Sequence, residues 1–276
     1  MKIAVTGGSG RVGRAFIDLA LSQGNSIVSI DRVSPENVAG RTDFTYIQAD
    51  ITDYTALENA FRGCDALVHM AAIPFPGRVP DHVVHNNNVT GSYNAMCAAI
   101  QVGIKYICQA SSVNATGLAF SRWPHFDYFP LDEQHPTYSE DPYSLSKWIC
   151  EEQANSLARR YETLTISSLR FHAVSPKRPE PAQFTGYRNS EALIKDLWAY
   201  TTFDAVSRAS MLALTADFKG HEVFYIVAPD TVVETPSLEL QQKNFPDVPV
   251  IGDLSGNKSF FNSSKAQRLL GWKHNV

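Results

Sequence analysis

The chain opens with MKIAVTGGSGRVGRAF (residues 1–16), where a short apolar run is followed by Gly7, Gly10 and Gly13 at intervals of three. Between a strand and a helix, glycines at this spacing let the chain turn tightly, approach a pyrophosphate and pack the helix against the strand. The N–H groups at the start of such a helix also favour an anion. The same pattern fits a turn that only relieves crowding, so the rest of the chain has to decide between the two.

Strand-like and helix-like segments alternate along the chain. Apolar runs that predict buried strands stand at residues 2–7, 26–31, 44–51, 65–72, 105–112, 164–171 and 222–228. Helical periodicity predicts helices at residues 11–24, 55–64, 88–103, 143–160, 190–200, 204–215 and 263–272. This βαβ alternation predicts an α/β fold in which helices cover both faces of a parallel sheet.

Composition and charge narrow the class of protein. The 276 residues are 44% apolar and carry a net charge of −4, which offers no basic surface for nucleic acid and no polybasic membrane signal. No apolar run approaches the ~20 residues of a membrane span, and Met1 leads straight into a predicted strand. The four cysteines are scattered, as in a reducing compartment. We therefore expect a cytoplasmic protein with a small-molecule substrate and no metal, nucleic-acid or membrane partner.

Acidic residues follow the second and third predicted strands. Asp31 stands ~20 residues beyond the glycines, where a carboxylate can accept hydrogen bonds from an adenosine ribose. A carboxylate there would repel a 2′-phosphate, which favours NAD, whereas the neighbouring Arg32 could stack on adenine or meet that phosphate, so NADP stays open. Asp50 either meets the adenine amino group or caps the helix that follows.

A second group of residues suits acid–base chemistry. Tyr143 and Lys147 are four positions apart in a predicted helix, so their side chains share a face. A nearby ammonium would lower the pKa of the tyrosine from its usual ~10 and let the hydroxyl exchange a proton with an alcohol or carbonyl. Ser112 ends a predicted parallel strand at the edge where open α/β sheets bind ligands, and its hydroxyl could donate to the same oxygen. Together the three residues indicate an active site.

The order of these motifs resembles that of the extended short-chain dehydrogenase/reductase family, the NAD-dependent epimerase/dehydratase group. TGGSGRVG (residues 6–13) is similar to its T-G-G-x-G-x-x-G, and YSLSK (143–147) is similar to Y-x-x-S-K. SSVNATG (111–117) stands where the family has S-S-x-x-V-Y-G. Further matches are Asp50-Ile51, HMAA (69–72), NVTGS (88–92) and LRF (169–171).

The resemblance implies a Rossmann-type doubly wound parallel sheet with a small C-terminal substrate-binding lobe. Residues 1–172 would bind NAD and carry the catalytic residues, and residues 173–276 would form mainly the lobe, with some segments returning to the sheet. The resemblance also implies a homodimer and a structural role for His69. The implied catalytic residues are Ser112, Tyr143 and Lys147. The implied cofactor-binding residues are Gly7, Gly10, Arg11, Val12, Gly13, Asp31, Arg32, Asp50, Ile51, Ala71, Ala72, Asn88, Tyr143 and Lys147. The expected substrate-binding residues are Ile73, Val113, Asn114, His172 and Arg188.

Departures from the family pattern narrow the expected chemistry. The segment after Ser112 lacks the Thr-Asp-Glu run of dehydratases. The short C-terminal part is similar to that of uronate dehydrogenases, and this similarity implies that Arg178 or Arg188 of the present chain would bind a substrate carboxylate. We expect an NAD(P)-dependent oxidoreductase that transfers a hydride between nicotinamide and a carbinol or carbonyl carbon of a small polar, sugar-like substrate, with Tyr143 as general acid and base. The alternatives are an NAD-dependent sugar or nucleotide-sugar epimerase that retains its cofactor, and a non-catalytic NAD(P)-binding regulator.

Overall fold

The computed structural model describes residues 1–35, 42–180 and 190–275, and within them seven parallel strands form one sheet. Their bounds are β1 Lys2–Thr6, β2 Ser26–Asp31, β3 Phe44–Gln48, β4 Ala66–His69, β5 Tyr106–Ala110, β6 Thr165–Phe171 and β9 Gly220–Ile226. Across the sheet they lie in the order β3-β2-β1-β4-β5-β6-β9. Two short strands, β7 Val174–Ser175 and β8 Thr201–Thr202, pair separately. The sheet confirms the expected Rossmann-type α/β fold.

Helices join the strands and cover the sheet. Their bounds are α1 Arg11–Ser22, α2 Tyr54–Phe61, α3 Asp81–Gln101, α4 Pro142–Arg160, α5 Ser190–Lys195, α6 Phe203–Ala213, α7 Ser237–Asn244 and α8 Ser264–Leu270, with a 3₁₀ helix at Val113–Thr116. The start of α4 is set locally, because Asp141 accepts hydrogen bonds from the N–H groups of Tyr143 and Ser144, and Pro142 occupies the first turn. This cap places Tyr143 at the edge of the sheet.

Each face of the sheet has its own apolar core. On one face, residues of α1, α6 and α8 such as Phe16 and Ala209 pack together with Trp272. On the other face, Met96 of α3 and Leu157 of α4 pack with the α2 residues. Because both faces are covered, the strands are buried along most of their length, which explains their near-continuous apolar sequence.

A third core, in which aromatic residues pack among aliphatic ones, is formed by the middle and the C-terminal part of the chain. Phe245 contacts Phe126 and Phe129, with ring centroids 5.2 and 5.6 Å apart, and Phe129 also contacts Phe260 at 5.0 Å. The aromatic stretch at residues 120–129 is divided between this core and the cleft described below. Phe126 and Phe129 belong to the core, and Phe120 faces the cleft.

The main differences from the predicted elements have local causes. α3 begins at Asp81, ahead of the predicted start at residue 88. The hydrophobic pattern missed its first two turns because they are polar and bury only Val84. α5 ends at Lys195, since the following Leu197 and Trp198 have left-handed backbone angles, with φ of 54° and 52°. α7 and the two-residue strands carry too little periodic pattern to be predicted. In the described part of the chain, no helix has the length and apolar character that a membrane span requires.

The buried His69 at the end of β4 makes stability depend on pH. Its Nδ1 lies 2.7 Å from Oγ1 of Thr6, and its pKa falls to about 3, chiefly because burial disfavours the charged ring and secondarily because of Lys147. As the pH falls below the ordinary value of 6.5, the unfolded chain takes up a proton at this residue and the folded chain does not, so stability decreases with acidification.

Replacing His69 by asparagine, which keeps a hydrogen-bonding group near Nδ1 but does not titrate, should therefore flatten this dependence. We expect the loss in free energy of unfolding between pH 7 and pH 5, measured by urea denaturation, to shrink by about 2 kcal/mol. His82→Asn, at an exposed position, is the control. An equal loss in the wild type and in His69→Asn would contradict this account.

Candidate active site at the carboxyl edge of the sheet

The winding direction of the sheet reverses between β1 and β4, since β2 and β3 lie on one side of β1 and the later strands on the other. In such sheets the crevice at the carboxyl ends of the strands opens at this reversal. A cleft of about 470 Å³ lies there, next to a smaller depression of about 150 Å³. The two share Gly7, Gly10, Met70 and Ala72 in their walls, so they form one path across the sheet edge.

The glycine turn between β1 and α1 forms the centre of this path. Gly7 has a φ of +74°, and a Cβ added to it would lie 2.6 Å from the backbone nitrogen of Ala71. A Cβ at Gly13 would lie 2.2 Å from the carbonyl oxygen of Gly7. Gly10 occupies the cap position of α1, and within the described residues no side chain forms a capping hydrogen bond there. The turn therefore presents backbone N–H groups at a helix start to the cleft, as an anion site requires.

Gly8 is a further close-packed glycine that the spacing pattern did not single out. A Cβ there would lie 2.2 Å from Oγ of Ser29 and 2.9 Å from Cδ1 of Ile17. The close approach of α1 to β2 therefore depends on Gly8, whereas Gly13 packs against the backbone of the turn itself.

Asp31 lies at the smaller depression together with Arg32, Ile51 and Ala71. Its Oδ2 accepts a hydrogen bond of 3.1 Å from the N–H of Ser9, and its Oδ1 accepts one of 3.2 Å from the N–H of Val33. The carboxylate therefore braces the glycine turn as well as bordering the depression. The sequence pattern predicted its position but not this second role.

Asp50 does not cap α2, and its expected contact with the adenine amino group stays a prediction. Its Oδ1 accepts hydrogen bonds from the N–H and hydroxyl of Thr52, at 2.9 and 2.8 Å, and the backbone bond in particular lowers its pKa. Asp53, rather than Asp50, caps α2. Arg32 lies 3.7 Å from Asp50 in an exposed pair, and Ala49 and Ile51, on either side of Asp50, line the smaller depression.

Tyr143 and Ser112 meet in the larger cleft. Tyr143 is 8% exposed, and its ring meets that of Phe120 edge to face at 5.7 Å. Burial raises the pKa of Tyr143 to about 12, and a hydrogen bond with Ser112 opposes the rise. Ser112 begins the 3₁₀ helix, where its Oγ accepts a 3.1 Å hydrogen bond from the N–H of Asn114.

Lys147 lies behind this pair rather than in the cleft wall. Its Nζ is 5.8 Å from the centre of the Tyr143 ring and donates a 2.7 Å hydrogen bond to the carbonyl of Ala110. Burial lowers the pKa of Lys147. The shared helical face is thus confirmed, with the ammonium held by the end of β5.

The expected substrate residues are only partly brought together. Val113, Asn114 and His172 line the cleft, and Arg188 lies outside the described residues. Ile73 contributes backbone: Oδ1 of Asn88 accepts from its N–H at 2.8 Å, and Nδ2 of Asn88 donates to its carbonyl at 3.1 Å. Asn88 is therefore a buried brace of the segment after β4, and its side chain does not line either part of the path.

Arg178, the other candidate for a carboxylate-binding residue, is held away from the cleft. Its Nε lies 3.1 Å from Oδ2 of Asp230, and its Nη2 donates to the carbonyl of Thr231 at 2.8 Å. Its guanidinium is therefore engaged by the segment that follows β9.

Several cleft residues were not expected as site residues, although Met70 lies in the HMAA segment and Phe171 ends the LRF segment. They are Met70, Pro74, Phe75, Phe171, Ala173, Val174, Asp196 and Phe203. Most of them are apolar, and Asp196 and Phe203 come from segments without strand or glycine signals. Within the described ranges, no group of three or more His, Cys, Asp or Glu side chains could hold a metal ion.

Comparisons with known proteins show to which family the chain is related. The NAD dependent epimerase/dehydratase family matches residues 3–197. The 3 beta-hydroxysteroid dehydrogenase/Delta 5-->4-isomerase of Vaccinia virus (strain Ankara) is 31% identical over 157 residues, which cover 54% of this chain and 44% of the viral protein. The match thus spans less than half the length of that relative.

Solved structures show the same fold over the whole chain. A mutated uronate dehydrogenase has a TM-score of 0.73 at 20% identity, covering 100% of this chain and 82% of that one. The UDP-glucose 4-epimerase from Bifidobacterium longum, in complex with NAD+ and UDP, has a TM-score of 0.73 at 19% identity, covering 100% and 94%. With the family match extending over most of its length, this chain belongs to the NAD dependent epimerase/dehydratase family.

Proposed function

We propose that the protein is an NAD-dependent oxidoreductase that interconverts a secondary alcohol and the corresponding carbonyl compound. One observation carries the proposal: Tyr143 and Ser112 line the same cleft as the glycine turn from Gly7 to Gly13. The hydroxyls that can move a proton and the turn that can hold a dinucleotide therefore open into one space.

The residues present fit NAD. The turn has no room for side chains at Gly7 and Gly13, and its uncapped helix start suits a pyrophosphate held by Gly10, Arg11 and Val12. We assign Asp31, Arg32, Ile51 and Ala71 to the adenosine end, and Ala72, Tyr143 and Lys147 to the nicotinamide end. When bound, NAD supplies the acceptor or donor of a hydride.

The proton chemistry belongs to Tyr143. In alcohol oxidation its phenolate takes the hydroxyl proton, while Ser112 donates a hydrogen bond to the same oxygen. Because burial raises the pKa of Tyr143 to about 12, the phenolate needs positive charge to form near neutral pH. Lys147, 5.8 Å from the ring centre, supplies such a charge.

The cleft wall favours an uncharged substrate. Phe75, Phe120, Phe171 and Phe203 line it, and in the described part of the chain its only charged lining residues are Arg11 and Asp196. The Arg11 guanidinium lies 5.1 Å above the Phe203 ring at the start of α1, which is the pyrophosphate end. We propose a ring alcohol, either a neutral sugar or an alicyclic alcohol, whose apolar face packs on these rings.

Tyr143→Phe tests the mechanism. We expect the kcat for alcohol oxidation to fall about 10²–10⁴-fold, because the proton acceptor is lost, with the Kd for NADH measured by fluorescence unchanged. In the wild type, kcat/KM for oxidation should rise with pH from 6 to 9, since the phenolate fraction grows toward a pKa raised by burial. Unchanged activity in Tyr143→Phe would contradict this role. Tightly held NAD without net NADH formation would favour the epimerase alternative.

Asp31→Asn tests the choice of cofactor. The amide keeps an oxygen that can accept from the Ser9 or Val33 N–H group and loses the charge that repels a 2′-phosphate. We expect the ratio of the Kd for NADPH to that for NADH to fall about tenfold. Asp53→Asn, at the cap of α2, is the control and should leave the ratio unchanged. An unaltered ratio in Asp31→Asn would remove Asp31 from the adenosine site.

Matched pairs of alcohols test the substrate class. Glucose against glucuronate, and cyclohexanol against 4-hydroxycyclohexanecarboxylate, differ by a carboxylate. We expect kcat/KM to be higher for the uncharged member of the pair that is turned over. Phe75→Ala should lower that value roughly tenfold, because apolar contact area is lost. Preference for the acid would overturn the substrate class and leave the redox chemistry standing.

A further inference from the structure

A buried chain of hydrogen bonds surrounds the loop that carries Ser112. At its centre, Arg170 of β6 and Glu151 of α4 form a two-point pair, with Nε to Oε1 at 2.8 Å and Nη2 to Oε2 at 2.7 Å. Their side chains are 7% and 3% exposed. The Ser111 hydroxyl donates to Oε1 of Glu151 at 2.5 Å.

The chain continues on the other side of Arg170. Its Nη1 donates to the Tyr225 hydroxyl at 3.3 Å, and that hydroxyl lies 2.7 Å from Oγ1 of Thr116. Burial raises the pKa of Tyr225, so the phenol stays protonated. A phenol has one proton to donate, and because Arg170 donates to its oxygen, that proton is directed at Thr116.

The two ends of this chain coincide with the two ends of the Ser112 loop. Ser111 directly precedes Ser112, which caps the 3₁₀ helix, and Thr116 is the last residue of that helix. Glu151 lies on α4, about two turns beyond Tyr143, so the same helix holds the chain and the proton-transfer residue. We call Ser111, Glu151, Arg170, Tyr225 and Thr116 together the serine-loop clamp.

We infer that the serine-loop clamp positions the Ser112 hydroxyl against the Tyr143 hydroxyl, and that Tyr225 is a positioning residue for catalysis. The inference rests on the proposed function, because it acts through Ser112. A loop tied at both ends to one ion pair keeps its hydroxyl in place without rearrangement during the reaction, which is how a polar group in a buried site stabilises a transition state. Loosening one tie should therefore slow the reaction without weakening binding.

Tyr225→Phe removes the hydrogen bonds of the Tyr225 hydroxyl to Thr116 and Arg170 and keeps both the aromatic ring and the ion pair. A change at Glu151 or Arg170 would instead leave a buried charge unpaired and destabilise the fold. In the full chain, with NAD and whichever alcohol of the matched pairs is turned over, we expect kcat to fall about tenfold, with the KM for that alcohol and the Kd for NADH unchanged. Tyr200→Phe is the matched control, because it is an equally buried tyrosine that loses a 2.9 Å hydrogen bond to Asp230. Its kcat should stay at the wild-type value.

A double-mutant cycle with Ser112→Ala separates positioning from stability. If Tyr225 acts through Ser112, the loss from Tyr225→Phe disappears once Ser112 is alanine. Fully additive losses, or a wild-type kcat in Tyr225→Phe, would overturn the clamp alone. If Ser112→Ala by itself leaves kcat unchanged, the role proposed for Ser112 fails and the clamp fails with it.

Crystal structures provide a readout independent of turnover. We expect the distance between the Ser112 and Tyr143 hydroxyls to differ between the wild type and Tyr225→Phe. The same distance in both structures would overturn the clamp even if no substrate were turned over, so this result is distinguishable from failure of the proposed function.

Discussion

The close approach of backbone to backbone at the glycine turn is the constraint on which the site depends. A Cβ at Gly13 would lie 2.2 Å from the Gly7 carbonyl oxygen, and one at Gly7 would meet the chain at the end of β4. Because these side chains are absent, α1 can begin directly above the point where the sheet reverses direction. The start of α1, the end of β4 and the acidic end of β2 then border one path, and every other functional group is placed relative to it.

Burial is the second organising influence on the site, and it disfavours the charged forms of both Tyr143 and Lys147. It raises the pKa of Tyr143 and lowers that of Lys147, so both groups are driven toward their neutral forms. Proton transfer in such a site depends on charge and hydrogen bonding from fixed neighbours. Ser112, the Ala110 carbonyl and the Arg170–Glu151 pair are such neighbours, and they come from the start of the 3₁₀ helix, β5, β6 and α4. Rigid polar groups in a dry site explain why a modest set of hydroxyls can carry the proposed reaction.

Apolar side chains form much of the cleft wall. Four phenylalanines face the cleft, and Arg178, which pairs with Asp230, is not among its lining residues. An apolar surface beside the two hydroxyls that we propose as catalytic would discriminate between substrates by shape and contact area. Charged contacts with a ligand would then come mainly from the proposed cofactor end of the cleft, where Arg11 lies on Phe203 at the start of α1.

The sequence by itself determined the features that follow from local spacing: the glycine turn, the position of Asp31 at the end of β2, the shared face of Tyr143 and Lys147, and the parallel α/β fold. Each depends on backbone sterics or on the repeat of a single helix or strand. Only the tertiary structure decided that Asn88 braces Ile73, that Asp53 rather than Asp50 caps α2, and that Phe126 and Phe129 fill a core. It also brought Ser111, Glu151, Arg170, Tyr225 and Thr116 into one buried chain. Contacts between residues so far apart leave no periodic trace, because they arise from the packing of whole elements, which fixes where a buried polar group finds its partner.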